Sequence, residues 1–370
     1  MDVRISRADF VTELAPMQGI VERKTTIPAL AHILLTARQE RLRLAATDLD
    51  VSLTSWCAAE VTREGALAVQ AKKLVEIVRA VEGDEVRLSE DEPNSLTIRA
   101  GKSRFKIRGL PADDFPTLPT AGEGPVAELS YAAFKRMVGK VLFAVSAEES
   151  RFQLNGALMK IKDGSVEMVA TDGHRLALVE NSAGADGSPR PEAGAGVLVP
   201  RKALQELQRF EAEGTLEYRH GAHHLSFRVG KRELVCRILE GTFPDYERVI
   251  AKENDSVAVF ERRALLDTIR RVALLTGDRA RTIRFQLNPG TATVSAANPD
   301  LGEAVEEIGC DYEGPEMRLG MNPDYVADFL GAVETDRVRF QLKDENTQAV
   351  GFPVEGPDER YLCVIMPMRI

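Results

Sequence analysis

The stretch Ala170-Thr171-Asp172-Gly173-His174-Arg175-Leu176 has two counterparts in the chain, and their spacing decides the fold. Ala46-Thr47-Asp48 lies 124 residues before it and Ala296-Ala297-Asn298 lies 126 residues after it. Each tripeptide ends an alternating stretch that follows an amphipathic one, at 6–22, 130–145 and 261–275. Phe10, Leu14 and Met17, then Phe134, Val138 and Val141, then Leu265, Ile269 and Val272 stand at i, i+4, i+7, the spacing of one helix face. Phe152-Gln153-Leu154-Asn155 and Phe285-Gln286-Leu287-Asn288 add a second match between the later copies.

Working outward, a second helix is expected at 71–81, 200–210 and 323–333, with Pro200 and Pro323 in first turns, where proline is tolerated. Alternating strands follow at 104–108, 233–238 and 361–365. Asp114-Phe115-Pro116 and Thr242-Phe243-Pro244 close the first two copies. The chain therefore reads as three copies of about 120 residues. Boundaries fall at the Gly/Pro stretch 120–125 and at 252–255, giving domains 1–125, 126–255 and 256–370. Strand runs broken by two helices per copy indicate α+β domains with antiparallel sheets, not a doubly wound parallel sheet.

The composition of the 370 residues, 44% hydrophobic and 28% charged, is that of a folded protein. The longest apolar runs, such as 141–145, fall far short of the ~18 residues that cross a bilayer. The first seven residues are charged from Asp2 on, without a signal region, so a cytoplasmic protein is expected. Cys57, Cys236, Cys310 and Cys363 are widely spaced; this excludes a zinc ribbon and favours buried, reduced thiols over disulfides.

The net charge of −9 argues against nucleic-acid binding until its distribution is read. The three domains carry −2, −1 and −6. Basic residues nevertheless gather on helices: Lys72, Lys73 and Arg79; Lys135, Arg136 and Lys140; Arg201, Lys202 and Arg209; Arg262, Arg263, Arg270 and Arg271. Only the helix at 323–333, with Asp324 and Asp328, carries no base. Four helices of one sign at equivalent places in a repeat suit a surface that touches phosphates without reading bases.

Catalytic signatures are missing. No phosphate loop, dinucleotide fingerprint, His-Glu-x-x-His or Gly-x-Ser-x-Gly occurs. Ser103-Arg104-Phe105-Lys106 matches Ser-x-x-Lys but lies in an alternating stretch, and His220, His223 and His224 fall in a turn. Asp172-Gly173-His174-Arg175 lacks a nucleophile or metal beside it. Asp48 and Asn298 at the equivalent tripeptides point instead to one structural turn used three times.

These features together, with Val199-Pro200-Arg201-Lys202, Phe243-Pro244-Asp245-Tyr246 and the terminal Met366-Pro367-Met368-Arg369-Ile370, resemble the bacterial sliding clamp family, the beta subunits of DNA polymerase III. The resemblance covers essentially the whole chain. It implies a head-to-tail homodimeric ring of six like domains, helices inside and sheets outside, that encircles duplex DNA. No catalysis and no cofactor are implied. Expected partners are the polymerase alpha subunit, clamp-loader subunits, other polymerases and repair proteins, held by short linear peptides.

The family's peptide cleft corresponds here to Leu154, Thr171, Gly173, His174, Arg175, Leu176, Pro244, Arg248, Val249, Asn322, Tyr325, Val364, Ile365, Met366, Pro367, Met368 and Arg369. The matching DNA contacts are Lys24, Lys72, Glu148, Phe152 and Gln153, with Lys202 added. Glu148 and Phe152-Gln153 stand where the best-known pattern has a glutamine and paired tyrosines. The dimer seam maps to Lys73, Ile77, Phe105 and Ile107 against Leu274 and Leu275 of a second copy. Two rivals are a non-ring repeat scaffold that binds proteins only and a nucleic-acid enzyme.

Overall fold

Ser6 opens the first helix, its hydroxyl accepting the Asp9 amide at 3.4 Å, and α1 runs Arg7–Ile20. Phe10, Leu14 and Met17 are all buried, as the stripe requires. Pro16 sits inside this helix, and the helix stops two residues before the expected end. The remaining helices are α2 Ala71–Ala80, α3 Tyr131–Val141, α4 Arg201–Arg209, α5 Arg262–Val272 and α6 Pro323–Ala332. α3 and α5 finish in 3-10 turns at Leu142–Ala144 and Ala273–Leu275, where α-helix to 145 and 275 was expected. Pro323 does stand in a first helical turn, after Asn322, whose side chain caps α6. Pro200 does not. It ends the strand Val197–Pro200 instead, paired with Gly156, because a proline N–H is not needed there.

The computed structural model describes all residues except 23, 121, 123–125, 149, 163, 182–195, 252, 278–280, 357–358 and 370. Most of the expected boundary segment 120–125, Lys252 and Ile370 thus lie outside the described residues. The rest falls into two compact units. The first is built from Met1–Ala132 and Lys202–Ile238; the second starts at Ala133 and takes in Leu239–Ile370.

The first unit holds a twelve-stranded antiparallel sheet. Its eighth and ninth strands are Val51–Arg63 and Arg232–Arg237, paired with Leu53 opposite Leu234, which joins a strand of the first repeat to one of the second. α1 covers one face. Cys57 Sγ and Ser55 Oγ reach the Asp9 carbonyl and the Glu13 carboxylate of α1, while Arg41, Arg43 and Trp56 alternate to the opposite face. Glu13 is 1% exposed and receives Arg232 Nε at 2.9 Å. Burial alone would raise its pKa; hydrogen bonds from Arg232 and Ser55, with the charges of Arg232 and Lys231, hold it below the usual value.

The second unit holds an eight-stranded and a four-stranded antiparallel sheet. In the larger one, Arg175–Asn181 pairs with Glu359–Ile365, Arg175 opposite Ile365, so a strand of the second repeat meets the last strand of the third. α5 and α6 pack together, with Leu265, Ile269 and Val272 buried. All four cysteines are free and buried. No helix among the described residues is long and apolar enough to cross a membrane.

Several helical bases turn out to be structural. Lys140 is 4% exposed, with its Nζ 5.3 Å from the Tyr361 ring centre, so it is not part of a polar face. Arg262 donates to the Thr335 and Leu330 carbonyls, at the end of α6, and Arg201 to the Val145 carbonyl. Lys202 donates to the Ile20 carbonyl at 2.8 Å and pairs with the Asp48 carboxylate. Gln205 shares its helix with Arg209, which pairs with Glu206.

Candidate functional site

The repeated tripeptide is a repeated turn. Asp172 Oδ1 accepts the His174 and Arg175 amides at 2.9 and 3.0 Å, and Asp48 Oδ1 accepts those of Asp50 and Val51. Asn298 Oδ1 accepts the Asp300 amide at 2.8 Å. These are side-chain-closed turns of the kind Asp and Asn favour. Thr47 and Thr171 reinforce two of them from their hydroxyls. Gly173 has φ +90°, and a Cβ there would stand 2.9 Å from the Arg151 guanidinium, so glycine suits both conformation and space.

In the second unit this turn presents Arg175. Its Nε donates to Asp172 at 3.0 Å, Nη1 to Asp328 of α6 at 2.6 Å, and Nη2 to the Phe143 carbonyl at 2.6 Å. The guanidinium carbon lies 4.5 Å from the Tyr325 ring centre and 5.1 Å from that of Phe143. His174 stacks on Tyr325 with centroids 6.3 Å apart. Burial, followed by the charge of Asp172, raises the Tyr325 pKa, which keeps the phenol neutral.

The C-terminal segment comes alongside. The Met366 amide donates to the His174 carbonyl at 2.9 Å and the Met368 amide to the Gly320 carbonyl at 2.8 Å. Met366, Pro367 and Met368 remain partly exposed and Arg369 exposed. Met368 Sδ accepts from the Thr282 hydroxyl. Beneath lies an apolar cluster including Leu176, Leu178, Leu198, Tyr246, Val350, Leu362 and Val364. Leu239, Phe243, Val249 and Ile250 pack on it while keeping some exposure. Such a surface, a half-open apolar floor with adaptable thioethers and a fixed guanidinium at one side, can hold a short peptide.

The expected cleft residues are thus gathered in one unit, with changes of role. Leu154, Leu176, Val364 and Ile365 are buried, and of these Leu176 and Val364 belong to the floor. Leu176, 1% exposed, is therefore covered floor rather than an open wall beside Met366 and Met368; strand alternation sets it on the same face as Leu178. Thr171 and Asn322 are occupied in closing a turn and capping a helix. Gly173, His174, Pro244 and Arg248 are exposed, and Val249 and Tyr325 partly so.

Sequence reasoning missed Phe143, Phe243, Tyr246 and Asp328. Phe243 and Tyr246 stood in a quoted motif as aromatics in a loop, which was signal enough. Phe143 and Asp328 reach the site only through the fold. Tyr246 is fixed from behind: it donates to Glu167 at 2.6 Å and accepts from Lys160 at 2.7 Å.

Of the residues matched to DNA contacts, Lys24 is exposed, and Lys72 is exposed 3.9 Å from Glu76. Phe152 is 64% exposed and Gln153 partly so. Glu148 pairs with Arg151 at 3.4 Å, which offsets its charge. Lys202 is engaged with Asp48 and Ile20. At the seam positions, Lys73 pairs with Glu76, Ile77 and Ile107 are half-buried, Phe105 is 38% exposed and Leu274 is 76% exposed. Leu275 is half-buried. No group of three or more His, Cys, Asp or Glu side chains that could hold a metal ion occurs among the described residues, the stretch with His220, His223 and His224 included.

A triplicated α+β chain with six helices and antiparallel sheets, and an apolar surface beside Arg175, has the architecture of the DNA clamp class. Models of the N-terminal, central and C-terminal domains of the DNA polymerase III beta subunit match residues 1–119, 128–245 and 247–369. Beta sliding clamps of Pseudomonas aeruginosa and Caulobacter vibrioides are each 35% identical over 100% of both chains. A crystal structure of the P. aeruginosa beta subunit superposes with a TM-score of 0.91 at 33% identity over the whole of both chains. The chain belongs to the DNA polymerase III beta subunit family. It is a DNA sliding clamp, a processivity factor without catalytic activity.

Proposed function

We propose that the chain works as a cytoplasmic head-to-tail homodimer, each copy contributing domains 1–125, 126–255 and 256–370 to a six-domain ring around duplex DNA. The observation that carries this is a pair of open strand edges of opposite charge. Residues 103–108 of the strand Ser103–Pro111 pair only with Ser95–Ala100, leaving their other edge without a described partner. They carry Arg104, Lys106 and Arg108 beside Phe105. Gly302–Gly309 is the edge of the four-stranded sheet and carries Glu303, Glu306 and Glu307 beside Val305. Exposed edges are normally covered, and these two differ, so their union is heterologous and can close a ring.

The Arg175 cleft supports the second half of the reading, the capture of short peptides from the polymerase alpha subunit, the clamp loader, other polymerases and repair proteins. A P. aeruginosa relative, TM-score 0.92 at 34% identity, has been crystallised with griselimycin, and so has one from Bartonella birtlesii. Duplex binding by exposed helical bases such as Lys72 is expected to be indifferent to sequence and to weaken steeply with salt, since phosphate contacts release counterions. Affinity measured on two unrelated duplexes across a salt series tests this. A strong preference for one sequence, or a flat salt response, would contradict it.

A further inference from the structure

On the first unit's sheet, the face turned away from α1 carries a basic hollow that the clamp function does not use. It is lined by Thr36, Arg38, Arg41, Arg43, Trp56 and Lys231, among others. Arg38 and Arg41 are directly opposite each other, flanking the two-residue turn Gln39-Glu40, and Arg43 is opposite both Thr36 and Trp56. All three arginines are exposed. None of them pairs with a carboxylate among the described residues, although acids are close. Glu233 is engaged by Arg228 and Ser226, and Glu13 by Arg232, Lys231 and Ser55. Glu64 accepts the Gln39 amide.

Like charges set directly opposite on one sheet face repel. In a chain of net charge −9 with acids to spare, that arrangement points to an external anion as the missing counter-charge. Trp56, the only tryptophan, adds a second constraint. The Arg41 guanidinium carbon stands 4.1 Å from its ring centre and Lys231 Nζ 5.9 Å from it. The guanidinium thus lies over the indole, and the pair forms a stack among cations.

We propose that this hollow binds single-stranded nucleic acid, its phosphodiesters on Arg38 and Arg43 and a base on the outer face of the Arg41 guanidinium where it lies over Trp56. Flat aromatic and guanidinium surfaces take unstacked bases; a duplex keeps its bases stacked and offers none. An acidic peptide would satisfy the arginines and leave the indole without a role. The inference rests on the first unit alone and does not depend on the ring or on the peptide cleft.

Trp56 is its own reporter. Titrating the full-length protein with a short oligothymidylate at low salt should quench tryptophan fluorescence saturably. The R38Q/R43Q variant should bind at least tenfold more weakly. Its salt slope should be shallower by about 1.4, two single-strand phosphate contacts having been removed. Arg318→Gln, which removes an exposed base of the second unit, should leave the quench unchanged. An oligomer labelled at its end, followed by anisotropy on Trp56→Phe, provides a readout independent of indole fluorescence and should report weakened binding. The proposal is overturned by no quench, by equal affinity in R38Q/R43Q, or by equal quenching with polyglutamate, which would make the hollow a peptide site. Equal quenching by inorganic phosphate alone would also overturn it.

Discussion

Arg175 and Asp328 lie 153 residues apart and meet at 2.6 Å, the first on the second repeat's turn and the second on the third repeat's α6. The same guanidinium also holds Asp172 and the Phe143 carbonyl, so three chain segments are aligned by one side chain. It is 11% exposed, which shields its hydrogen bonds from water.

Replacing Arg175 with Ala should therefore loosen the cleft without opening the core beneath it. Affinity for a polymerase-derived peptide should fall at least tenfold, and Arg175→Lys should not rescue it, because an ammonium cannot fork to three acceptors. Isothermal titration on both variants checks this. Deleting Met366 to Ile370 should abolish peptide binding while the oligomer persists, since the segment's described backbone bonds outside the strand are only those to His174 and Gly320. Unchanged peptide affinity in either variant would place the partner site elsewhere.

Glu13 should set part of the acid limit of stability. Its folded pKa is depressed, so its contribution is present above the unfolded carboxylate pKa and lost as pH falls through the folded one. Glu13→Gln leaves Arg232, 5% exposed on its side chain, without its counter-charge, a loss of about 3–5 kcal/mol near pH 7. The gap from wild type should shrink below pH 4. Glu206 has the opposite sign: burial raises its pKa, so its contribution is full at low pH and lost as pH rises through the folded value. Glu206→Gln should be neutral or stabilising at pH 7. Thermal unfolding across pH reads both; a Glu13→Gln deficit as large at pH 3 as at pH 7 would refute the assignment.

Exposed Leu274 and half-buried Leu275 belong to the proposed seam, so changing both to Asp should give folded monomers. Sedimentation equilibrium should report half the wild-type mass with an unchanged circular dichroism spectrum. A persistent dimer would rule out this seam, and a monomeric wild type would favour the non-ring scaffold.

Lys72 and Lys202 should behave differently although both are helical bases. Lys72→Ala removes an exposed charge and should weaken duplex binding uniformly across sequences. Lys202→Ala breaks its bonds to Asp48 and Ile20 and should lower thermal stability more than DNA affinity. Parallel melting and binding curves separate the two effects.

How much of this was legible in the sequence follows from what each signal encodes. The i, i+4, i+7 stripes gave the first helix of each copy, because helical period determines which face is buried, and the repeat order gave the second. The tripeptides gave the turns, because an Asp or Asn at that position closes its own loop. Period-2 alternation marks a strand's faces and is silent on its neighbours, so the pairings of Leu53 with Leu234 and of Arg175 with Ile365 were not readable. Charge sign likewise does not name a partner. Lys140 and Lys202 read as free bases and are held by the fold, whereas Arg38, Arg41 and Arg43 drew no notice and have no carboxylate partner among the described residues.

The central claim is topological: a closed ring that holds DNA by encircling it. The most direct measurement loads the protein onto nicked circular duplex with its clamp loader and follows retention through gel filtration before and after linearisation. The account predicts that the protein stays with the circle at a salt concentration that abolishes binding to short duplexes, and runs off once the circle is cut. Retention on the linear form, or loss from the intact circle at that salt, would contradict it.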